Sequence, residues 1–219
     1  MARNSHLFYT PRGRVWAENL LVPDLPENRK AHKQYAKGQY KVTLFFDKSD
    51  QEVRTFVKEF VTVGANLLRT TFPTLKNAGT DEIMAIIRRR LRDGDEMVEA
   101  YRRKAAAVPD VVVPTALAGH WVISATSKTQ PACLDITEGG QSKPLTPKAC
   151  YRGMYGHAEI AVGPVDAGGQ FHLAAWLNAF VKTQDGGHIG RRGNTTALLS
   201  HIQKTASSPN DVPRDEFEI

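Results

Sequence analysis

The sequence predicts a mainly β fold with inserted helices, arranged as a small Greek-key β-barrel and followed by a disordered acidic C-terminal tail. Three observations carry that prediction. Apolar and polar residues alternate with period two before residue 47 and again after residue 119. Between them the period lengthens to that of a helix, and from Ser207 onward no packing face is left. Five or six strongly twisted strands with helices after the second fit a closed barrel, and an α+β sandwich is the alternative use of the same strands.

Each element follows from its local pattern. The first strand, residues 13–22, is mixed rather than strictly alternating, as in a strand covered on both faces over part of its length. Pro23 and Pro26 open a polar loop that carries Arg29, Lys30, Lys33 and Lys37 and is long for a hairpin connection. The second strand, Gln39 to Phe46, puts Tyr40, Val42, Leu44 and Phe46 on one face and Lys41, Thr43 and Phe45 on the other. Ser49 followed by Glu52 forms a capping-box signature, and Val53, Phe56, Val57, Phe60 and Val61 continue at helical spacing towards a stop before Pro73. A second helix starts after Thr80, carries Ile83, Ile86, Ile87 and Leu91, and breaks at Gly94, with a short third helix over residues 96–107. Arg88, Arg89, Arg90 and Arg92 wrap around the second helix, which predicts solvated arginines balanced by Asp93, Asp95, Glu96 and Glu99.

Strand patterning returns at residues 120–127, 131–136, 151–162 and 170–183, with Gly153 and Gly156 inviting bulges. In the last strand Phe171, Leu173, Ala175, Leu177, Ala179 and Val181 alternate against His172, Trp176, Asn178, Phe180 and Lys182. The expected organisation is a single domain over residues 1–206, with its helical insertion at about residues 49–107, and a flexible tail over residues 207–219.

With 219 residues, 41% hydrophobic and 24% charged, the chain has the composition of an ordinary globular protein with a packed core. No run of about eighteen apolar residues is present, which argues against a transmembrane helix and a membrane partner. The N-terminus lacks an apolar signal region and reads as an unprocessed cytoplasmic start. Cys133 and Cys150 have no metal-ligand spacing and read as half-buried thiols in a reducing compartment.

The net charge of +6 is unevenly spread. Residues 210–219 hold Asp211, Asp215, Glu216 and Glu218 against Arg214, which leaves +9 on residues 1–209. A basic body with an acidic end suggests a polyanion partner and a tail that competes with it.

No phosphate loop, nucleophile elbow or HExxH motif occurs, so a non-enzymatic, cofactor-free protein is expected. The cluster Asp93, Asp95 and Glu96 keeps a metal-dependent nuclease open as one rival reading, and a protein-interaction module with incidental basic charge is another. The segment 183–194 is rich in glycine and ends in Arg191 and Arg192, a composition that lets backbone and guanidinium groups follow a sugar-phosphate chain. Single strands are held by a basic groove and aromatic platforms on which bases stack. Trp16 follows Arg12 and Arg14 closely, Tyr151 precedes Arg152, and Tyr155 shares a face with His157 and Glu159. Trp176 is expected to share a face with Phe180 and Lys182.

The segments ISATSKTQPACLD at 123–135, YRGMYGHAEI at 151–160 and LNAFVKTQDGGHIGRR at 177–192 resemble the core of a phage-encoded single-stranded DNA-binding protein family. The resemblance runs from Arg14 through Arg192 and includes LRDGDE at residues 91–96. It implies an OB-like Greek-key β-barrel and sequence-independent single-stranded DNA binding in phage replication or recombination, inside the host bacterial cytoplasm. From their charge and placement, Arg12, Arg14, Lys33, Lys37, Lys128, Arg152, Lys182, Arg191 and Arg192 are expected to neutralise phosphates, with Trp16, Tyr151, Tyr155 and Trp176 as stacking platforms. Duplex DNA is expected to bind more weakly. Asp211, Asp215, Glu216, Phe217, Glu218 and Ile219 are expected to inhibit binding or to recruit replication or recombination proteins. The ending DEFEI departs from the family pattern, because Phe217 stands two residues before the terminus.

Overall fold

The computed structural model describes residues 4–24, 38–108, 110–137 and 140–189. Nine strands and three α-helices follow one another: β1 (His6–Tyr9), β2 (Gly13–Asp24), β3 (Gln39–Asp47), α1 (Gln51–Thr71), α2 (Thr80–Arg88), β4 (Leu91–Asp93), α3 (Gly94–Ala107), β5 (His120–Ser127), β6 (Ala132–Asp135), β7 (Lys143–Pro144), β8 (Tyr155–Ala167) and β9 (Gln170–Gln184). Pairing runs β2–β3–β5–β9–β8 and returns from β8 to β2, so five strands close a ring in which only the β5–β9 contact is parallel. The interior of the ring is filled by Val15, Leu44, Phe46, Ile123, Ile160 and Leu177, each at most 2% exposed. Phe56 and Phe60 of α1 join the same core, stacked with Phe8 of β1. Among the described residues, no helix is long and apolar enough to cross a membrane.

Several expectations are corrected here. The N-cap of α1 is Asp50, whose carboxylate accepts the Glu52 N–H at 2.8 Å, rather than Ser49. Ser49 is already engaged, donating its N–H and its hydroxyl to Asp47 Oδ1. Leu91 lies in a strand paired with Ile123, not in the second helix. The strand expected from residue 151 begins at Tyr155, because Gly153 turns the chain at φ 105° and donates its N–H to the Val15 carbonyl.

Arg90 and Arg92 are not solvated. The Arg90 guanidinium donates to the carbonyls of Leu173 (3.0 Å) and Ser124 (2.9 Å), and Arg92 donates to the Ser124 hydroxyl at 3.2 Å. Arg90 thus bridges β9 and β5, which share a single registered pair, Thr126 and Trp176. Arg88 and Arg89 are exposed as expected, and Arg88 lies 3.9 Å from Glu96, but Asp93 and Asp95 have a different partner. Lys48 Nζ lies 2.6 Å from Asp93 and 2.7 Å from Asp95, while Asp93 also caps α3.

The last strand also differs from strict alternation. Glu159 pairs with Ala179 and the next residue, Ile160, with Leu177, so Asn178 is an extra bulge residue. One inserted residue moves every later side chain to the opposite face. Phe180 and Lys182 therefore point inward, at 0% and 2% exposure, while Trp176 stays on the outer face. The shared face expected for Trp176, Phe180 and Lys182 does not exist. Both cysteines are free and half-buried, and the Cys150 thiol donates to Glu18 at 3.2 Å.

Gly94 starts α3 where an added Cβ would lie 2.0 Å from the Leu117 carbonyl oxygen and 2.6 Å from that of His120. Two backbone atoms cannot step aside as a side chain does. Gly94→Ala is expected to destabilise the fold by about 2 kcal/mol or more, read as a lower urea midpoint at unchanged slope. A midpoint equal to that of the parent would mean the α3 entry is plastic.

Candidate nucleic-acid interface

The register of four strands sets a row of side chains across the outside of the ring. Tyr155 of β8 pairs with Arg14 of β2, Arg14 with Phe45 of β3, and Phe45 with Val122 of β5. Opposed residues project from the same face, so Tyr155, Arg14 and Phe45 stand side by side, with His120 and Asp47 two pairs further along. Together with Arg12 they line a groove of about 570 Å3. Its β8–β2 side is cationic and aromatic, and its β3–α1 side carries Asp47, Asp50 and Glu52.

Both arginines lean over one ring. The guanidinium carbons of Arg12 and Arg14 lie 5.8 and 5.6 Å from the Tyr155 centroid, within cation–π range. Arg12 also donates to Gln184 at 3.1 Å and is exposed. Arg14 is more constrained, donating to the carbonyls of Gly187 (2.7 Å) and Gly153 (3.2 Å), so part of its fork ties the segment after β9 to the turn before β8.

The aromatic row continues from Trp16, the extra residue of a bulge between Val15 and Ala17, which meets Phe45 edge-on at 6.2 Å. Phe45 meets the His120 ring in the same way at 4.9 Å. Hydrogen bonds from Ser49, with help from the His120 charge, hold the Asp47 carboxyl below the ordinary carboxylate range.

The remaining expected site residues lie elsewhere. The Tyr151 hydroxyl sits 2.8 Å from Asp185 Oδ1 and accepts the Gly186 N–H at 3.0 Å, and the His188 ring stacks on its ring at 4.2 Å. That ring face is therefore already occupied. Lys182, expected as a phosphate contact, is buried with Asp135 at 3.7 Å and Asp185 at 2.7 Å, so its charge is committed inside the protein. Burial opposes ionisation of Asp135, but two hydrogen bonds from Thr137 and the charges of Lys182 and Lys143 hold its carboxyl below the usual range. Trp176 pairs with Ala161 and lies against Gly163, whereas Tyr155 pairs with Gln184. Six residues of β8 separate the two positions, roughly 20 Å at about 3.3 Å per residue.

Lys128 and Arg152 are exposed, in the turns after β5 and before β8. Lys33, Lys37, Arg191, Arg192 and the tail from Asp211 to Ile219 lie outside the described residues, as does the expected disorder of that tail. Among the described residues no group of three or more His, Cys, Asp or Glu side chains could hold a metal ion.

The family model described as "Enterobacter phage Enc34, ssDNA-binding protein" matches residues 25–207, most of the chain. This chain belongs to that family. The Enc34 family member solved in complex with ssDNA, from bacteriophage Enc34, is 16% identical with a TM-score of 0.59, covering 87% of this chain and 96% of its own. A second structure of the single-stranded DNA-binding protein from bacteriophage Enc34 is also 16% identical, with a TM-score of 0.58, covering 91% of this chain and 96% of its own. At that identity the likeness speaks to the fold. No curated protein matches the chain.

Phe45 and His120 were missed as groove residues. Phe45 had a signal, being an aromatic at a position of β3 otherwise given to Lys41 and Thr43. His120 had none, since only the register of β3 against β5 brings it beside Asp47.

Proposed function

We propose that this chain binds single-stranded DNA without sequence preference, as a non-catalytic component of phage DNA replication or recombination. The observation that carries this reading is the groove lined by Arg12, Arg14, Tyr155 and His120, in which two guanidinium groups stand over one aromatic ring and the buried Phe45 forms the floor. Membership of the Enc34 family supports it. The strand order of the ring, with its single parallel contact, supports an OB-like Greek-key barrel, an architecture that binds oligonucleotides on one sheet face.

Arg12 and Arg14 meet phosphates at the groove, and Lys33, Lys37, Lys128, Arg152, Arg191 and Arg192 supply further phosphate contacts. Tyr155 and Trp16 are the stacking platforms of the groove, and Trp176 is a separate one. The acidic tail, with −3 against a body of +9, competes with DNA for this track, while Phe217 and Ile219 are available to a replication partner.

Binding to oligo-dT measured against salt tests the reading. With three to five phosphates neutralised, log affinity falls linearly with log salt at a slope of about −2 to −3.5. A flat salt response, or tighter binding to duplex of the same length, would refute it.

A further inference from the structure

The groove has two chemically different sides, and phosphate is attracted to only one of them. Arg12 and Arg14 stand on the β8–β2 side. The β3–α1 side carries the exposed carboxylates of Asp47, Asp50 and Glu52. Phosphates placed near these acids would be repelled, so a bound strand must lie with its backbone along the arginines. Its bases then cross Tyr155, above the buried Phe45, with their hydrogen-bonding edges towards the carboxylates.

An ionised carboxylate accepts hydrogen bonds and donates none. It therefore suits the C4 amino group of cytosine and opposes the C4 carbonyl of uracil or thymine. Asp47 is already oriented by Ser49 through one oxygen, and Asp50 by its cap to the Glu52 N–H, so both carboxylates are held rather than swinging freely.

We infer that the carboxylate side of this groove selects amino-bearing bases, so that the protein prefers cytosine-rich over uracil- or thymine-rich single strands. This inference rests on the DNA-binding reading above and adds a base preference to it. The preference is one of composition, not of sequence, because nothing in the groove fixes which nucleotide follows which.

Oligo-dC and oligo-dU of equal length isolate the effect, since the two bases differ only in the exchange of that amino group for a carbonyl and the accompanying proton on the ring. At mildly alkaline pH and fixed salt, oligo-dC is expected to bind about tenfold more tightly, a difference of about 1.4 kcal/mol. Asp50→Asn with Glu52→Gln removes two charges and keeps an N-cap acceptor on α1. That variant is expected to bind both oligomers more tightly, with the ratio falling to about two.

Glu52→Gln alone leaves the cap untouched and should lower the ratio part-way, which separates recognition from any change in folding. Equal affinity of the parent for both oligomers overturns the inference while leaving DNA binding intact, as does an unchanged ratio in both variants. Failure of the parent to bind either oligomer would instead overturn the DNA-binding reading itself.

Discussion

Replacing Arg12 and Tyr155 together by alanine is expected to weaken single-stranded DNA binding by about thirty- to a thousandfold. Loss of one stacked base costs about 1–3 kcal/mol, and loss of one exposed phosphate contact adds about 1 kcal/mol more. Both side chains meet at the groove, with the Arg12 guanidinium 5.8 Å from the Tyr155 ring centre. Arg14 is left in place because it also holds the carbonyls of Gly153 and Gly187, and its removal would mix folding with binding.

The salt slope should become shallower by about 0.7, the contribution of one phosphate on a single strand. Tyr155→Phe keeps the ring and is expected to retain most of the affinity. Thermal stability should stay nearly level, because Arg12 is exposed. Parent-like affinity in the double variant would move the binding site away from this groove.

Lys182→Met is expected to cost about 3–5 kcal/mol of folding free energy, the usual penalty for breaking one side of a buried ion pair. Lys182 and Asp135 side chains are each only 3% exposed, and methionine would leave the Asp135 carboxylate buried with Lys143 and the Thr137 hydrogen bonds but without its buried partner. Denaturant unfolding measures the loss. Adding Asp135→Asn to Lys182→Met should restore part of it, since the unpaired charge is then gone.

The pH dependence gives a second check. In the parent the Asp135 carboxyl lies below its ordinary value of 3.8, so this stabilisation is present above that value and is lost as pH falls through the lower folded one. In the variant, burial without Lys182 favours the neutral acid. The stability gap between the two proteins should therefore narrow below about pH 4. A variant as stable as the parent at neutral pH would mean that the pair is dispensable.

Where the local pattern was unbroken, sequence and structure agree closely. β3 spans Gln39–Asp47 and β5 spans His120–Ser127, and α1 ends before Pro73 as expected. Disagreement is concentrated at bulges and at long-range contacts. A period of two holds only until a residue is inserted, and neither Asn178 nor Trp16 carries a mark of being the inserted one. Lys182 was therefore assigned to the wrong face.

Arg90 looked like its neighbours because nothing local distinguishes an arginine that will meet two backbone carbonyls from one that will meet water. Of the candidate residues, Arg12, Arg14 and Tyr155 are brought together at the groove. The carboxylate side of the groove was not legible, because Glu52 read locally as half of a capping box and only the fold brings it into one groove with Asp47 and Asp50.

The Arg90 bridge bears on how this protein could be shortened or rebuilt. A helical segment spliced between two strands invites removal as a cassette, with a short linker rejoining the flanking strands. Here that excision would take away the side chain that fastens β5 to β9 and, with Phe56 and Phe60, part of the material packed inside the ring. The segment behaves as a keystone, and a minimal version of this domain has to keep it.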